Sequence, residues 1–277
     1  MSMQQLVEIM AQLRDPSSGC PWDKEQTMET IVPYTIEEVY EVADSIAKGD
    51  MPDLCGELGD LLFQVVFYAQ IASERGDFDI HDVINGICKK MLRRHPHVFA
   101  DAEVNGIEEQ SLKWEQIKAA ERQESAGSAP VQQLDGVARA LPALIRAEKL
   151  QKRAAKVGFD WSDRMDVLRK VKEELSELEA ELTGADELPD KIAEEMGDLL
   201  FSCVNLSRHL SLHAETLLRE ANDKFQVRFN AVERLLRQEG KSLQETGLTE
   251  MEEKWCLVKA RRSEEHTSEL PVTWPSR

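Results

Sequence analysis

The chain has 277 residues, 42% of them apolar, and sets 52 Asp and Glu against 34 Lys and Arg for a formal net charge of −18. A surface this acidic argues against nucleic-acid binding by counterion release, but it admits a polyphosphate wherever local lysines, arginines and a bound cation reverse the field. Five scattered cysteines with no CxxC, an amphipathic start (Leu6, Ile9, Met10, Leu13) in place of a secretory leader, and no stretch of membrane-spanning apolar length predict a reducing, cytoplasmic setting.

Apolar residues recur with helical period almost throughout, and glycine and proline punctuate them. The pattern predicts helices over about 3–14, 27–48, 51–75, 79–94 and 108–122. The small, polar run Ser125–Ala129, followed by Pro130, reads as a linker. A second helical series follows over about 142–156, 164–183, 188–211, 213–239 and 249–261. The expected division is a helical domain 1–122, a linker 123–136 and a second helical domain 137–260. Residues 261–277 (RRSEEHTSELPVTWPSR) break the pattern and read as a non-native tail, so His266 and Trp274 carry no functional weight. The fold class expected is all-α: tandem duplicated helical bundles, each with too few long helices for a deep cleft and completed by dimerisation.

One carboxylate pattern occurs twice. Glu37, Glu38 and Glu41 precede Glu57 and Asp60, while Glu173, Glu174 and Glu177 precede Glu195 and Asp198. Both sets run into Gly-Asp-Leu-Leu-Phe, at 59–63 and 197–201. The first motif shifts by 136 positions (Glu37 to Glu173) and the second by 138 (Glu57 to Glu195), as in a duplicated unit. On a helix, residues three and four apart share a face, so each motif is an acidic stripe. The apolar run after Asp60 predicts a buried helix with that aspartate partly buried at its opening. Two carboxylates 4 Å apart repel by roughly 4 kcal/mol at an effective dielectric near 20, so converging acids need protons or a metal. Oxygen-only ligands suit a hard cation, Mg²⁺ first and Mn²⁺ next. A single acidic stripe is more often a solvated face; two copies, each with its ExxD partner, favour the metal. Di-iron bundles need Glu-x-x-His, and no glutamate here has a histidine three residues later.

The duplication extends to basic and aromatic positions. Lys90 and Arg94 match Lys224 and Arg228, and Trp114 and Lys118 match Trp255 and Lys259. A helical tryptophan is more often core or interface than a base-stacking platform. His95 and His97 flank Pro96 in an expected loop with no evident further ligands nearby, which reads as a loop or docking element and not as a metal site. No Walker-type glycine loop and no GxSxG occur.

The pairing of EExxE with ExxD, across the spacers 42–56 and 178–194, resembles the signature of the MazG family of nucleoside triphosphate pyrophosphohydrolases, in its two-domain bacterial form. The flanking GCPWDKEQT, GELGDLLFQVVFYAQ, RRHPHVF, VGFDW and EEMGDLLF extend the resemblance over about residues 3–260. It implies an all-α fold, a homodimer, Mg²⁺, and cleavage of NTP to NMP and pyrophosphate. By that resemblance Glu174, Glu177, Glu195 and Asp198 are metal ligands in the second half, with Glu173 left over as a proton acceptor. Asn222, Lys224 and Arg228 fall near the triphosphate, and Trp255 and Lys259 near the nucleotide. In the first half the metal positions are Glu38, Glu41, Glu57 and Asp60, with Glu37 beside them. Cys88 stands two residues before Lys90, where Asn222 stands before Lys224, and it replaces an amide poorly. The second half is therefore expected to hold the principal catalytic site. Two other readings stay open: a pyrophosphohydrolase restricted to particular deoxy- or damaged nucleotides, and a regulatory or scaffold protein that binds nucleotide without turnover.

Overall fold

Side-chain caps fix where the first helices begin. Ser2 and Gln5 close a capping box at α1 (Met3–Leu13), and Thr27 and Thr30 close another at α3 (Met28–Lys48), each satisfying backbone N–H groups that lack helical partners. Between them lies a short α2 (Pro21–Glu25). Gly49 ends α3 at φ 70°, a left-handed conformation that glycine adopts without strain, and Asp50 caps α4 (Met51–Arg75) immediately after. The chain thus reverses in two residues, and α3 packs against α4. Ser45 Oγ donates to Asp53 at 2.7 Å across this turn. Then come α5 (Ile80–Arg94), α6 (Pro96–Phe99) and α7 (Ile107–Ala126).

The second series is α8 (Ala143–Ala155), α9 (Arg164–Thr183), α10 (Pro189–His209), α11 (Ala214–Gln238), a 3₁₀ turn at Leu243–Glu245 and α12 (Leu248–Ser268). This computed structural model describes residues 2–100, 106–126, 132–184 and 188–268, and among them there is no strand, so the fold is all-α. The chain forms two compact units, Met1–Glu124 and Ser125–Arg277.

In the first unit, α4 is central, touching α1, α3 and α5. Met10, Ile31, Val66, Phe67, Ala69, Ile71 and Ile80 form one buried cluster, with Leu6, Val7, Met28, Phe63 and Tyr68 packed against it. Arg14 lays its guanidinium 5.3 Å from the centroid of the Phe67 ring and pairs with Glu74 at 2.8 Å, so its charge is satisfied where its stem is buried. By length and hydropathy α4 qualifies as a membrane span, contrary to the sequence expectation. Its apolar half instead forms this core, and its preceding turns carry Glu57 and Asp60.

In the second unit α10 packs on α8, α9 and α11, and α12 packs on α11. Val167, Leu178, Val204, Val232 and Leu236 are buried. Asp160 anchors the segment before α9 to the end of α10, taking a two-pronged ion pair from Arg208 (2.5 and 2.9 Å) and a contact from His209 at 2.9 Å. Burial opposes ionisation of Asp160, but the Arg208 and His209 bonds outweigh it and hold its carboxyl below the usual range.

Three further expectations change. The histidine segment is the short helix α6, its Pro96 preset for a first helical turn, and not a loop. The last helix continues to Ser268, because no proline or glycine interrupts 261–268; the rest of the tail, 269–277, lies outside the described residues. α7 likewise runs to Ala126, into the stretch read as linker, while 127–131 falls outside the described residues.

Candidate metal centres

Each unit brings its acids together across one helix pair. In the first, α3 supplies Glu38 and Glu41 and α4 supplies Glu57, with one carboxylate oxygen from each lying within 4.8 Å of the others. In the second, Glu174 of α9 meets Glu195 and Asp198 of α10 within the same limit. Octahedral bonds of about 2.1 Å place ligand oxygens about 3.0 Å apart when adjacent and about 4.2 Å when opposite. Both triads therefore fit a six-coordinate cation after small rotamer adjustments. Asp60 and Glu177, the fourth acid of each set, stand outside the triads yet within electrostatic reach: Asp60 acts on Glu38 and Glu57, and Glu177 acts on Glu195.

The converging charge is visible in the proton affinities. Burial, then Asp60, Glu41 and Glu57, push the Glu38 carboxyl up, and a hydrogen bond from Gln64 partly offsets this. Loss of water contact, then Glu41, Asp53 and Asp60, raises Glu57. Loss of water contact, then Glu177, Glu174 and Asp198, raises Glu195. Each is an anion held where anions repel, which a divalent cation relieves.

Asp60 and Asp198 are exposed, and neither opens its helix, contrary to the sequence reading. Both lie midway along α4 and α10, on the turn before the buried half. Large apolar side chains stand exposed beside them, among them Leu62, Val65, Leu200 and Phe201.

Sequence reasoning missed two residues that touch the acids. Gln64 is 7% exposed and bonds Glu38. Its signal was a lone amide inside an apolar run. Lys170 lies 2.7 Å from Glu174 and 2.8 Å from Glu173. It stands three and four residues before them, the spacing of a helical ion pair. Glu174 is 5% exposed, so this pairing matters for a charge taken out of water. Tyr34 occupies the corresponding place in the first unit, three residues before Glu37.

The other expected site residues sit on a different helix pair. Asn222, Lys224 and Arg228 are on α11, and Trp255 and Lys259 on α12. Asn222, Lys224 and Lys259 are exposed. Phe225 joins the two helices, 5.3 Å from the Trp255 ring centroid. Arg228 Nε is buried with no hydrogen-bond partner, and neither Lys224 nor Arg228 forms an ion pair among the described residues. Glu37 and Glu173 are exposed outside the triads.

A scan of family models matches residues 26–99 to the "MazG nucleotide pyrophosphohydrolase domain", a span that includes the first acid triad. The chain is 53% identical over 254 residues to the nucleoside triphosphate pyrophosphohydrolase of Escherichia coli K12, covering 92% of this chain and 95% of that protein. It is 43% identical over 256 residues to the Thermotoga maritima protein named nucleoside triphosphate pyrophosphohydrolase/pyrophosphatase MazG, with the same two coverages. Among solved structures, a mazG-related protein from Thermotoga maritima aligns at 28% identity and a TM-score of 0.36, over 42% of this chain and 98% of that one. At such identity to full-length relatives, the chain belongs to the MazG family of nucleoside triphosphate pyrophosphohydrolases.

Proposed function

We propose that this chain hydrolyses nucleoside triphosphates to nucleoside monophosphate and pyrophosphate, with Mg²⁺ or Mn²⁺ held by Glu174, Glu177, Glu195 and Asp198. One observation carries the choice of the second unit. Its acid triad is accompanied by an arginine, Arg228, whose buried Nε has no partner among the described residues, as expected of a side chain kept for an anionic ligand.

The cation, when bound, neutralises the phosphate oxygens and makes a coordinated water easier to deprotonate. Glu173 stands outside the ligand set, held by Lys170, and accepts the proton of the attacking water. Attack at the α-phosphorus breaks its bond to the bridging oxygen, and the electron pair leaves with pyrophosphate. Lys224 and Arg228 stabilise the charge that builds on the phosphates, with Asn222 donating beside them. Trp255 and Lys259 flank the nucleotide. The first unit's acids, Glu38, Glu41, Glu57 and Asp60, hold a second cation.

Leu200 (54% exposed) and Phe201 (44% exposed) beside the acids favour a homodimer, in which a second copy walls the otherwise open site. The reading places the protein in the cytoplasm, with no membrane or nucleic-acid partner. Pyrophosphate release from a panel of NTPs and dNTPs with Mg²⁺ tests it. Equal yields of monophosphate and pyrophosphate, lost with EDTA, are expected; a folded protein that releases none from any nucleotide would be a binding protein instead.

A further inference from the structure

The two units repeat the same basic and aromatic positions, but they use them differently. In the first, Arg94 presents two nitrogens to Glu121 of α7: NH2 lies 2.5 Å from Oε2, and Nε lies 3.2 Å from Oε1. The neighbouring Arg93 also donates to Glu121. The side chains of Arg94 and Glu121 are 18% and 14% exposed, so the pair is largely out of water. Trp114 is engaged as well, though still exposed, with Lys118 Nζ 5.3 Å from its ring centroid and the His95 ring 5.7 Å away. In the second unit the residue matching Arg94 is Arg228, whose buried Nε has no partner among the described residues.

We propose that Glu121 closes the first unit to nucleoside triphosphates by occupying Arg94, so that this unit takes the divalent cation without the nucleotide. A planar guanidinium binds carboxylate and phosphate through the same fork of N–H groups, so one occupant excludes the other. A triphosphate would have to break both bonds to Arg94 and then face the released carboxylate, a like charge in a poorly hydrated place. In the paired state Glu121 is fully ionised at neutral pH, because Arg94 first, with Arg93, holds its carboxyl at about 2. The acid triads do not distinguish the units in this respect; the residue that does so is Glu121.

The inference rests on the proposed function, because it takes Arg228 as a triphosphate contact. The test titrates the full chain with the α,β-methylene analogue of ATP and Mg²⁺ by calorimetry. Wild type is expected to take one analogue per chain, and Glu121→Gln two. The added site should be lost again in Glu121→Gln with Arg94→Ala, and should bind about 10-fold or more tighter than anything the first unit of wild type shows, the scale of one charge-assisted hydrogen bond. Glu121→Asp, which keeps the charge, should stay at one. Two analogues per chain in wild type would overturn the proposal without any variant. So would a folded Glu121→Gln that stays at one; Glu121→Ser repeats the test if the glutamine variant unfolds. No binding to wild type, with Mg²⁺ still bound, would instead sink the proposed function.

Discussion

The two acid clusters carry equivalent carboxylates but meet different neighbours. Glu38 is steadied by the neutral amide of Gln64, which leaves the cluster its full negative charge. Its counterpart Glu174 pairs with the ammonium of Lys170, which Glu173 shares. Ser202, also buried, stands where the first unit has Gln64, one turn after the ExxD aspartate. The cores differ as well. The first unit gathers its buried apolar residues into one cluster with Val66, Phe67, Ala69 and Ile71 of α4, whereas the second buries Val167 and Leu178 on α9, Val204 on α10 and Val232 and Leu236 on α11. Duplicated ligand sets thus need not make duplicated sites: the residues that touch the ligands set the charge, and the packing behind them sets how rigidly they are held.

The largest expected effect separates the units by activity. Asp198→Asn should lower turnover on the order of 10²–10³-fold, the scale of losing one electrostatic contact at a transition state. Asp60→Asn should leave turnover within about 3-fold, because the first unit is assigned no chemistry, whereas an equal loss from both would erase the comparison. Pyrophosphate release measures it.

Next comes stability. Phe67→Ala removes a ring that is 1% exposed at the centre of the first core, and should cost about 3–5 kcal/mol. Val204→Ala in the second unit deletes less and should cost about 1–2 kcal/mol. Urea unfolding followed by tryptophan emission checks both, and a reversed order would mean that the second core is the tighter.

Gln64→Leu is a smaller change. In an Asp198→Asn background, Mn²⁺ binding followed by electron paramagnetic resonance should weaken about 10-fold, since a partner that orients a metal ligand typically contributes that much. Unchanged affinity would show that Gln64 merely fills space.

The smallest effect is a pH dependence of melting. The folded-state proton affinities of Glu38, Glu57 and Glu195 are raised, so their contribution to stability is full below the ordinary carboxylate range and is lost as pH rises through the raised values. In EDTA the melting temperature should therefore rise by a degree or two, roughly, as pH falls from 7 toward 5.5. With Mg²⁺ it should fall instead, because the cation needs the ionised acids. A melting temperature in EDTA that falls over the same range would show that the acids do not repel as described. Acid loss lies lower, where carboxyls held down by partners, such as Glu74 by Arg14 and Glu148 by Lys152 and His213, must be protonated.

What the sequence alone determined is local or repeated. Helical period, caps such as Ser2 and Asp50, and glycine stops such as Gly49 and Gly76 act within a turn or two of the chain, so the long helices were legible within a few residues. The two EExxE and ExxD motifs marked the acids, because i, i+3 and i, i+4 spacing already puts them on one face. The tertiary structure alone decided which oxygens converge across α3 and α4 or across α9 and α10, with Asp60 and Glu177 left at the edge. It also decided that α4, apolar enough to pass for a membrane span, is the centre of a bundle, and that Arg94 is claimed by a glutamate 27 residues later while the buried Nε of Arg228 meets no partner among the described residues. Pairing at that range depends on how two helices approach each other, and no local period encodes the approach.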